Sequence, residues 1–287
     1  MKTHIIIVNW NSFHKTSRCL LSLEALVETP AKVWIIDNGS EDRSAEALEH
    51  FLDSFQFPAT LIRSGRNLGF GGGCNVGIEN ALNEGADSVW LINNDAVADP
   101  VALVALQERM RSDPKIGAVG SVIFDFNRPQ YIHVWGGGRV LLWAGVTFHF
   151  SHPVADRRLD YLNGASLLLK RDALKAVGNF DSEKFFMYWE DTDICLRLRQ
   201  HGWRLGVADN SYVWHEYSSS LGELHPLKDY YVTRSAHAFV RRHTSHPRIA
   251  WGIGTCLRLL RRLIKGRAAN CFAIYAAWRG NDFSYDI

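Results

Sequence analysis

The sequence predicts an α/β protein built on a mostly parallel, doubly wound central sheet with flanking helices. Short β-branched runs alternate with helix-period segments through roughly the first hundred residues, and short polar clusters recur directly after those runs. In such sheets ligands gather at the carboxyl ends of the strands, where these clusters fall.

The elements follow in order. His4 to Trp10 reads as a strand, a helix runs to about Leu26, and Lys32 to Asn38 is a second strand. Ser40-Glu-Asp-Arg supplies a cap and an acidic first turn ahead of Ala45, Leu48, Phe51 and Leu52 at helical spacing. Ala59 to Ser64 and Ser88 to Asn94 are further strands, and the glycine-rich Asn67 to Gly77 opens the helix between them. Asp99 caps a helix from Pro100 to Met110. Beyond Gly117 the strands shorten (Ala118 to Phe124, Leu162 to Lys170, Arg204 to Ala208, Tyr212 to Trp214), with a helix from about Thr192 to His201. The expected division is a nucleotide-binding half at 1–116, an acceptor half at 117–222 and a basic helical extension at 223–287.

With 287 residues, 47% of them hydrophobic, the chain can bury one large core. Its formal net charge of +2 conceals a division: 223–287 holds eleven Lys/Arg against four Asp/Glu. Five scattered cysteines without a Cys-x-x-Cys pair suggest neither a disulfide framework nor a zinc knuckle. The apolar run Ile5 to Val8 is too short for a secretory leader and no stretch is long enough to span a bilayer, so the expected place is the cytoplasm, at the inner face of the membrane.

Chemistry concentrates at the strand ends. Val8, Asn9 and Asn11 close the first strand, and Asp37, Asn38 and Ser40 the second. Asn67, Gly69 and Asn75 belong to the glycine-rich segment, and Asn93, Asn94 and Asp95 follow the fourth strand. Together they form the expected ligand-binding set. Asp37 can accept from a base N–H or a ribose hydroxyl, or simply cap the following helix. The glycines suit either close approach to a ligand or tight helix packing, and they make a poor dinucleotide fingerprint because Cys74 stands at its last glycine. Asp95 emerges where a divalent metal would bridge a carboxylate to a diphosphate; Mg²⁺ or Mn²⁺ needs only one or two protein carboxylates beside substrate phosphates. Phe185 to Trp189 run into Glu190, Asp191 and Asp193 at a helix start, where apolar walls raise a carboxylate's pKa and helix N–H groups lower it, tuning a base. Capping accounts for one of the three. His215, after a late strand, is either a packed imidazole or a ligand.

Taken in order, IVNWNS, IDNGSEDRS, RNLGFGGGCNVGI, WLINNDAV, LNGASLLLKRDAL, WEDTDICLRLRQHGW and His215 resemble the family 2 inverting glycosyltransferases of GT-A fold, in the bacterial rhamnosyltransferase-like branch. The resemblance makes that ligand-binding set a nucleotide-sugar-binding one. It implies a dTDP- or UDP-sugar donor, Asp37 at the base, Asp95 as the metal-binding acid, Asp191 with Glu190 as the catalytic pair, and His215 on metal or diphosphate. The sequence departs from the fullest D-x-D form, with Asn93 where the first acid would stand. The implied acceptor is a saccharide or lipid-linked saccharide.

In the extension, Ile253, Cys256, Leu257, Leu260, Leu263 and Ile264 fall on one helical face and Arg258, Arg261, Arg262 and Lys265 on the other. Arg241 to Arg279 contains no acidic residue. The pattern reads as a helix lying in an anionic membrane surface, against packing on the protein's own core or a homodimer contact. Nucleic acid is not expected, because leucine and isoleucine rather than stacking aromatics back the basic face. Rival readings of the whole chain are a silent saccharide-binding scaffold and a nicotinamide-dependent oxidoreductase.

Overall fold

The computed structural model describes residues 1–216 and 224–283. The first half comprises β1 (Thr3–Asn9), α1 (Phe13–Glu24), β2 (Lys32–Asp37), α2 (Ser44–Leu52), β3 (Ala59–Arg63), α3 (Gly69–Asn83) and β4 (Ser88–Ile92). Its strands pair in parallel in the order β3-β2-β1-β4. Successive strand residues point to opposite faces, and both faces are covered. Ile5, Ile7, Val33, Ile35 and Trp90 pack with Cys19, Leu20 and Leu23 of α1, whereas Ile6, Trp34, Ile36, Val89 and Leu91 pack with Cys74 and Ile78 of α3. Burial on two faces explains why these strands read as unbroken apolar runs.

Next come β5 (Ala96–Ala98), α4 (Ala102–Arg111), β6 (Ile116–Asp125), β7 (Arg128–Trp135), β8 (Gly137–Leu141), β9 (Val146–His149), β10 (Tyr161–Leu162), β11 (Ser166–Lys170), α5 (Arg171–Val177), α6 (Glu190–Gln200) and β12 (Arg204–His215). β11 inserts antiparallel between β4 and β6, β12 lies parallel to β6, and β5 pairs antiparallel with the end of β12. β8, β9 and β10 form a separate small sheet.

Several expectations are corrected. The helix expected from Ser40 begins at Ser44, whose N–H is taken by Asp42 Oδ1 at 3.0 Å, because Ser40 is committed to Asp37. The strand expected from Leu162 to Lys170 breaks at 163–165, and the two short strands expected after Arg204 are one strand, irregular between Ala208 and Tyr212. β5, three residues long, gave no pattern to read.

The glycine-rich segment is helical from Gly69, and its glycines serve packing. A Cβ on Gly73 would lie 2.8 Å from Val8 Cγ1, and one on Gly77 2.6 Å from Ile6 Cγ2, so α3 can approach β1 only without those side chains. Gly69 has φ +74°, and a Cβ there would sit 2.0 Å from the Phe186 carbonyl oxygen. Gly65 has the same φ with nothing within 4 Å. Gly69→Ala should therefore cost at least about 2 kcal/mol in urea unfolding, while Gly65→Ala costs about 1 kcal/mol from backbone conformation alone. Equal losses would show that the contact with Phe186 carries nothing.

The chain ends in α7 (Pro226–His243), α8 (Pro247–Ile264) and α9 (Ala268–Arg279). The boundary expected at 222/223 lies outside the described residues. Ala236, Phe239 and Val240 of α7 join the same core as α6 and β4. The expected orientation of α8 is corrected: Arg258 and Arg262 face inward, not outward with Arg261 and Lys265. Arg262 Nε lies 2.7 Å from Asp229 Oδ2 of α7, and Arg258 donates to the Gly145 carbonyl. The leucines face out instead. Among the described residues no helix is long and apolar enough to cross a membrane.

Candidate active site

The carboxyl ends of β1 and β2 are joined by a polar network centred on Asp37, which is buried. Asn9, fully buried, donates from Nδ2 to Asp37 Oδ1 at 2.9 Å, and Ser40 Oγ donates to the same oxygen. Asn11 stands in left-handed backbone (φ +47°); its N–H donates to Ser40 Oγ at 2.9 Å and its side-chain oxygen accepts from the N–H of Glu41 at 2.8 Å. These hydrogen bonds fix the Asp37 carboxylate in one orientation instead of leaving it to cap α2. Asn38 performs the parallel task at α3, donating to Asn67 Oδ1 at 3.2 Å and to the Gly69 carbonyl at 3.1 Å. Asn75 exchanges two hydrogen bonds with the backbone of Phe180, at 2.8 and 3.0 Å, so its side chain braces α3 rather than pointing to the strand ends.

Thr16, which sequence reasoning passed over, links this network to β4. It donates to Asn9 Oδ1 at 2.7 Å and accepts from Asn94 Nδ2 at 3.0 Å. A threonine inside an amphipathic helix carries no distinguishing sequence signal.

Asp95 is buried at the start of β5, and the β5–β12 pairing sets His215 opposite Ala96. His215 Nε2 consequently lies 3.0 Å from Asp95 Oδ1 and 3.1 Å from Asn93 Nδ2. Two ligands at ~2.1 Å on adjacent octahedral corners are about 3.0 Å apart, so this oxygen and nitrogen fit one edge of a divalent cation's coordination shell. Among the described residues no group of three or more His, Cys, Asp or Glu could hold a metal, so the remaining corners would fall to substrate oxygens and water.

The catalytic candidates come next to this edge through the break at 163–165. The Asn93 N–H donates to the Ala165 carbonyl at 3.1 Å, and the adjacent Gly164 N–H donates to Asp191 Oδ2 at 2.9 Å. One turn thus holds the Asp95 segment on one side and the Asp191 carboxylate on the other. Gly164 lies beside both Asp191 and Phe70: a Cβ added there would meet Asp191 Cβ at 3.4 Å and Phe70 Cε1 at 3.6 Å, in ordinary contact.

The three acids of α6 have separate fates. Asp193, fully buried, is a structural anchor: Arg197 lies 2.8 Å from it, Arg242 of α7 2.9 Å and His243 2.8 Å. Those partners hold its carboxyl below the usual range despite burial. Asp191 accepts from the N–H and hydroxyl of Thr192, at 2.6 and 3.1 Å, besides Gly164. Glu190 Oε2 is buried with no donor among the described residues. Burial raises both pKa values; for Glu190 burial and the Asp191 charge push it up to about 8. A charge on one carboxyl opposes ionisation of the other, and the donor inventory decides where the first charge resides: on Asp191, with a proton kept on Glu190.

Tyr188 and Trp189 precede this pair in left-handed backbone, at φ +67° and +71°. Such residues cost roughly 1–3 kcal/mol each and persist only where packing over-determines them. α7 provides that packing. Trp189 meets Phe239 at 4.7 Å between ring centroids, Phe186 stacks on Tyr231 at 5.1 Å, and Ser235 Oγ donates to the Met187 carbonyl at 2.8 Å.

A stability test follows from Glu190. Its folded pKa is raised, so its contribution is intact below its ordinary pKa and is lost as pH climbs from about 4.5 towards about 8. Glu190→Gln should flatten that slope, melting higher than the parent at pH 8.5 and close to it at pH 5. Identical pH–Tm curves would show that Glu190 ionises freely.

The chain is similar to known proteins in sequence and in fold. The model of Glycosyl transferase family 2 matches residues 4–174. The N-acetylglucosaminyl-diphospho-decaprenol L-rhamnosyltransferase of Mycobacterium tuberculosis is 29% identical over 242 residues, covering 76% of this chain and 77% of that protein. Among solved structures, a mannosyltransferase from Pyrobaculum calidifontis in complex with GDP-Man and Mn²⁺ superposes with TM-score 0.63 at 16% identity, over 96% of this chain and 73% of that one. TarS of S. aureus in complex with UDP gives 0.59 at 15%, over 100% and 94%. These likenesses carry the GT-A fold, and the family match covers the strand ends that hold Asn9, Asp37 and Asp95. The chain is a glycosyltransferase and belongs to Glycosyl transferase family 2.

Proposed function

We propose that the protein transfers one sugar, rhamnose foremost, from a dTDP- or UDP-sugar to a hydroxyl of a lipid-linked or oligosaccharide acceptor, with inversion at the anomeric carbon. The setting we infer is bacterial surface polysaccharide synthesis at the inner face of the cell membrane. The rhamnose and lipid-linked assignments draw on the named activity of the mycobacterial relative. The observation that carries the reading is the turn at 163–165, which ties the Asp95 segment to the Asp191 carboxylate.

In this reading Asp37, held by Asn9 and Ser40, accepts from the base or ribose of the donor, and Asn38 and Asn67 shape the loop beside it. Asp95 and His215 would hold a divalent cation, which when bound neutralises charge on the diphosphate. Asp191 accepts the proton of the acceptor hydroxyl as that oxygen bonds to the anomeric carbon, and the bond from that carbon to the diphosphate oxygen breaks on the opposite side. Single displacement inverts the centre. Glu190, carrying its proton, keeps a second negative charge away from the incoming oxygen.

Thermal-shift screening against nucleoside diphosphates and their sugars, with and without Mn²⁺, should give the largest stabilisation with a dTDP- or UDP-sugar plus Mn²⁺. Transfer to an N-acetylglucosaminyl diphospholipid should then yield a disaccharide of inverted anomeric configuration. Retained configuration, or donor binding with no transfer to any saccharide acceptor, would overturn the proposal.

A further inference from the structure

α8 is an amphipathic helix mounted the wrong way round for a helix that covers a core. Its buried residues are Ala250, Gly254, Thr255 and Arg262. Gly254 lies so close to the Ala144 carbonyl that a Cβ would come within 2.2 Å, and Arg262 grips Asp229 through two hydrogen-bonding nitrogens, Nε at 2.7 Å and Nη2 at 3.0 Å. The arginine side is thereby locked inward. What the helix presents to solvent is its aliphatic side: Leu257 is 46% exposed, Leu260 55%, Leu263 62% and Ile264 77%.

α9 extends this surface. It lies antiparallel beside α8, with Cys271 Sγ 3.9 Å from the Leu259 carbonyl near one end and Trp278 6.1 Å from Trp251 near the other. Its exposed residues Phe272, Tyr275 and Trp278 recur every third position. Tyrosine and tryptophan combine apolar rings with a polar edge, which suits the headgroup level of a bilayer. Arg261 on α8, Arg279 on α9, and Lys265 and Arg267 in the turn that joins the two helices are exposed, and no acidic residue stands between Arg241 and Arg279.

We infer that this outward face of α8 and α9 docks on an anionic bilayer by inserting its leucine and aromatic ridge, with the exposed cations seated among lipid phosphates. The inference deepens the lipid-linked reading of the acceptor and rests on it. A second copy of the chain is the poorer occupant, since a two-fold contact would set these four cations against themselves, with Asp282 the one exposed carboxylate of 224–283 to offset them. Arg258 and Arg262 stay with the protein, so the contact is an insertion of apolar side chains and not only an electrostatic touch.

The test is flotation of the full chain with vesicles of equal parts phosphatidylglycerol and phosphatidylcholine, and with phosphatidylcholine alone. The expected result is recovery with the anionic vesicles and at least about tenfold weaker partition for Leu260→Ser/Leu263→Ser/Ile264→Ser, whose exposed positions leave the melting temperature unchanged. Arg261→Gln/Lys265→Gln/Arg267→Gln should lose about tenfold and become insensitive to salt. Recovery indifferent to the apolar triple variant would overturn the insertion, as would a parent chain that floats with neither vesicle. A parent dimer that this variant dissociates would reassign the ridge to self-association. Transfer to a detergent-free, water-soluble fragment of the lipid-linked acceptor should be the same in all these proteins; its absence throughout would instead sink the proposed acceptor and leave the flotation result standing.

Discussion

Asp191→Asn lowers turnover by at least about a hundredfold, the scale of a lost general base, and leaves the donor dissociation constant within about twofold. The geometry makes the change nearly isosteric. The Asn oxygen can still accept from Gly164 or Thr192, and the carboxylate's helix position is retained. What disappears is the one group at the turn that can take a proton. Single-turnover kinetics with Mn²⁺ and donor, alongside isothermal titration of the donor, separate the two effects. Loss of donor binding in proportion to rate would make Asp191 a binding residue, and unchanged turnover would remove it from the reaction. Glu190→Gln sharpens the result: with a neutral amide in place of a protonated acid, activity near neutral pH should fall far less than in the Asp191 variant.

The second large effect is expected at Asp95. Asp95→Asn should lower kcat/KM on the order of a thousandfold in saturating Mn²⁺, because the developing charge on the departing diphosphate loses several kcal/mol of compensation. His215→Gln should lose about tenfold, since it removes one corner of the shell and leaves the charged ligand. The diagnostic readout is the gain in donor affinity on adding Mn²⁺. It should be present in the parent, reduced in His215→Gln and absent in Asp95→Asn. Equal gains in all three would place the cation elsewhere. Asn93 supplies a neutral group where the resemblance leads one to expect an acid, and its backbone and side chain are both engaged, with Ala165 and His215. Its contribution is therefore to set the positions of its two neighbours.

Much of this was legible in the residues. Strands buried on both faces gave apolar runs that could be read directly, and the polar groups at their carboxyl ends marked the candidate site that the fold gathers. Asp37 and Glu190 stood out as carboxylates directly after an apolar run, Asp191 as the neighbour of Glu190, and Asp95 as the acid closing the Asn93-Asn94-Asp95 cluster that follows Ile92. Features that depend on pairing between distant segments were hidden. β5 is three residues long, and it brings His215 to Asp95 only through its partner β12. Gly164 looked like one residue of a continuous strand, whereas its N–H is the support of Asp191. Thr16 looked like one position of an ordinary helix. The glycines of α3 pointed equally to a ligand and to packing, and Val8 and Ile6 opposite Gly73 and Gly77 show the packing that those two serve. For α8, periodicity put Arg258, Arg261, Arg262 and Lys265 on one outward face, whereas the structure splits that face: Asp229, far off in sequence on α7, turns Arg262 inward and Arg261 and Lys265 stay exposed.

The central claim is that one cavity holds a cation-bound donor diphosphate beside a proton-accepting carboxylate. Crystals grown with Mn²⁺ and an unreactive donor analogue, measured at a wavelength where manganese scatters anomalously, address it directly. The expected map has a manganese peak in coordination range of Asp95 Oδ1 and His215 Nε2, and the anomeric carbon of the sugar faces Asp191. A peak at any other residues, or a donor sugar turned away from Asp191, would contradict it.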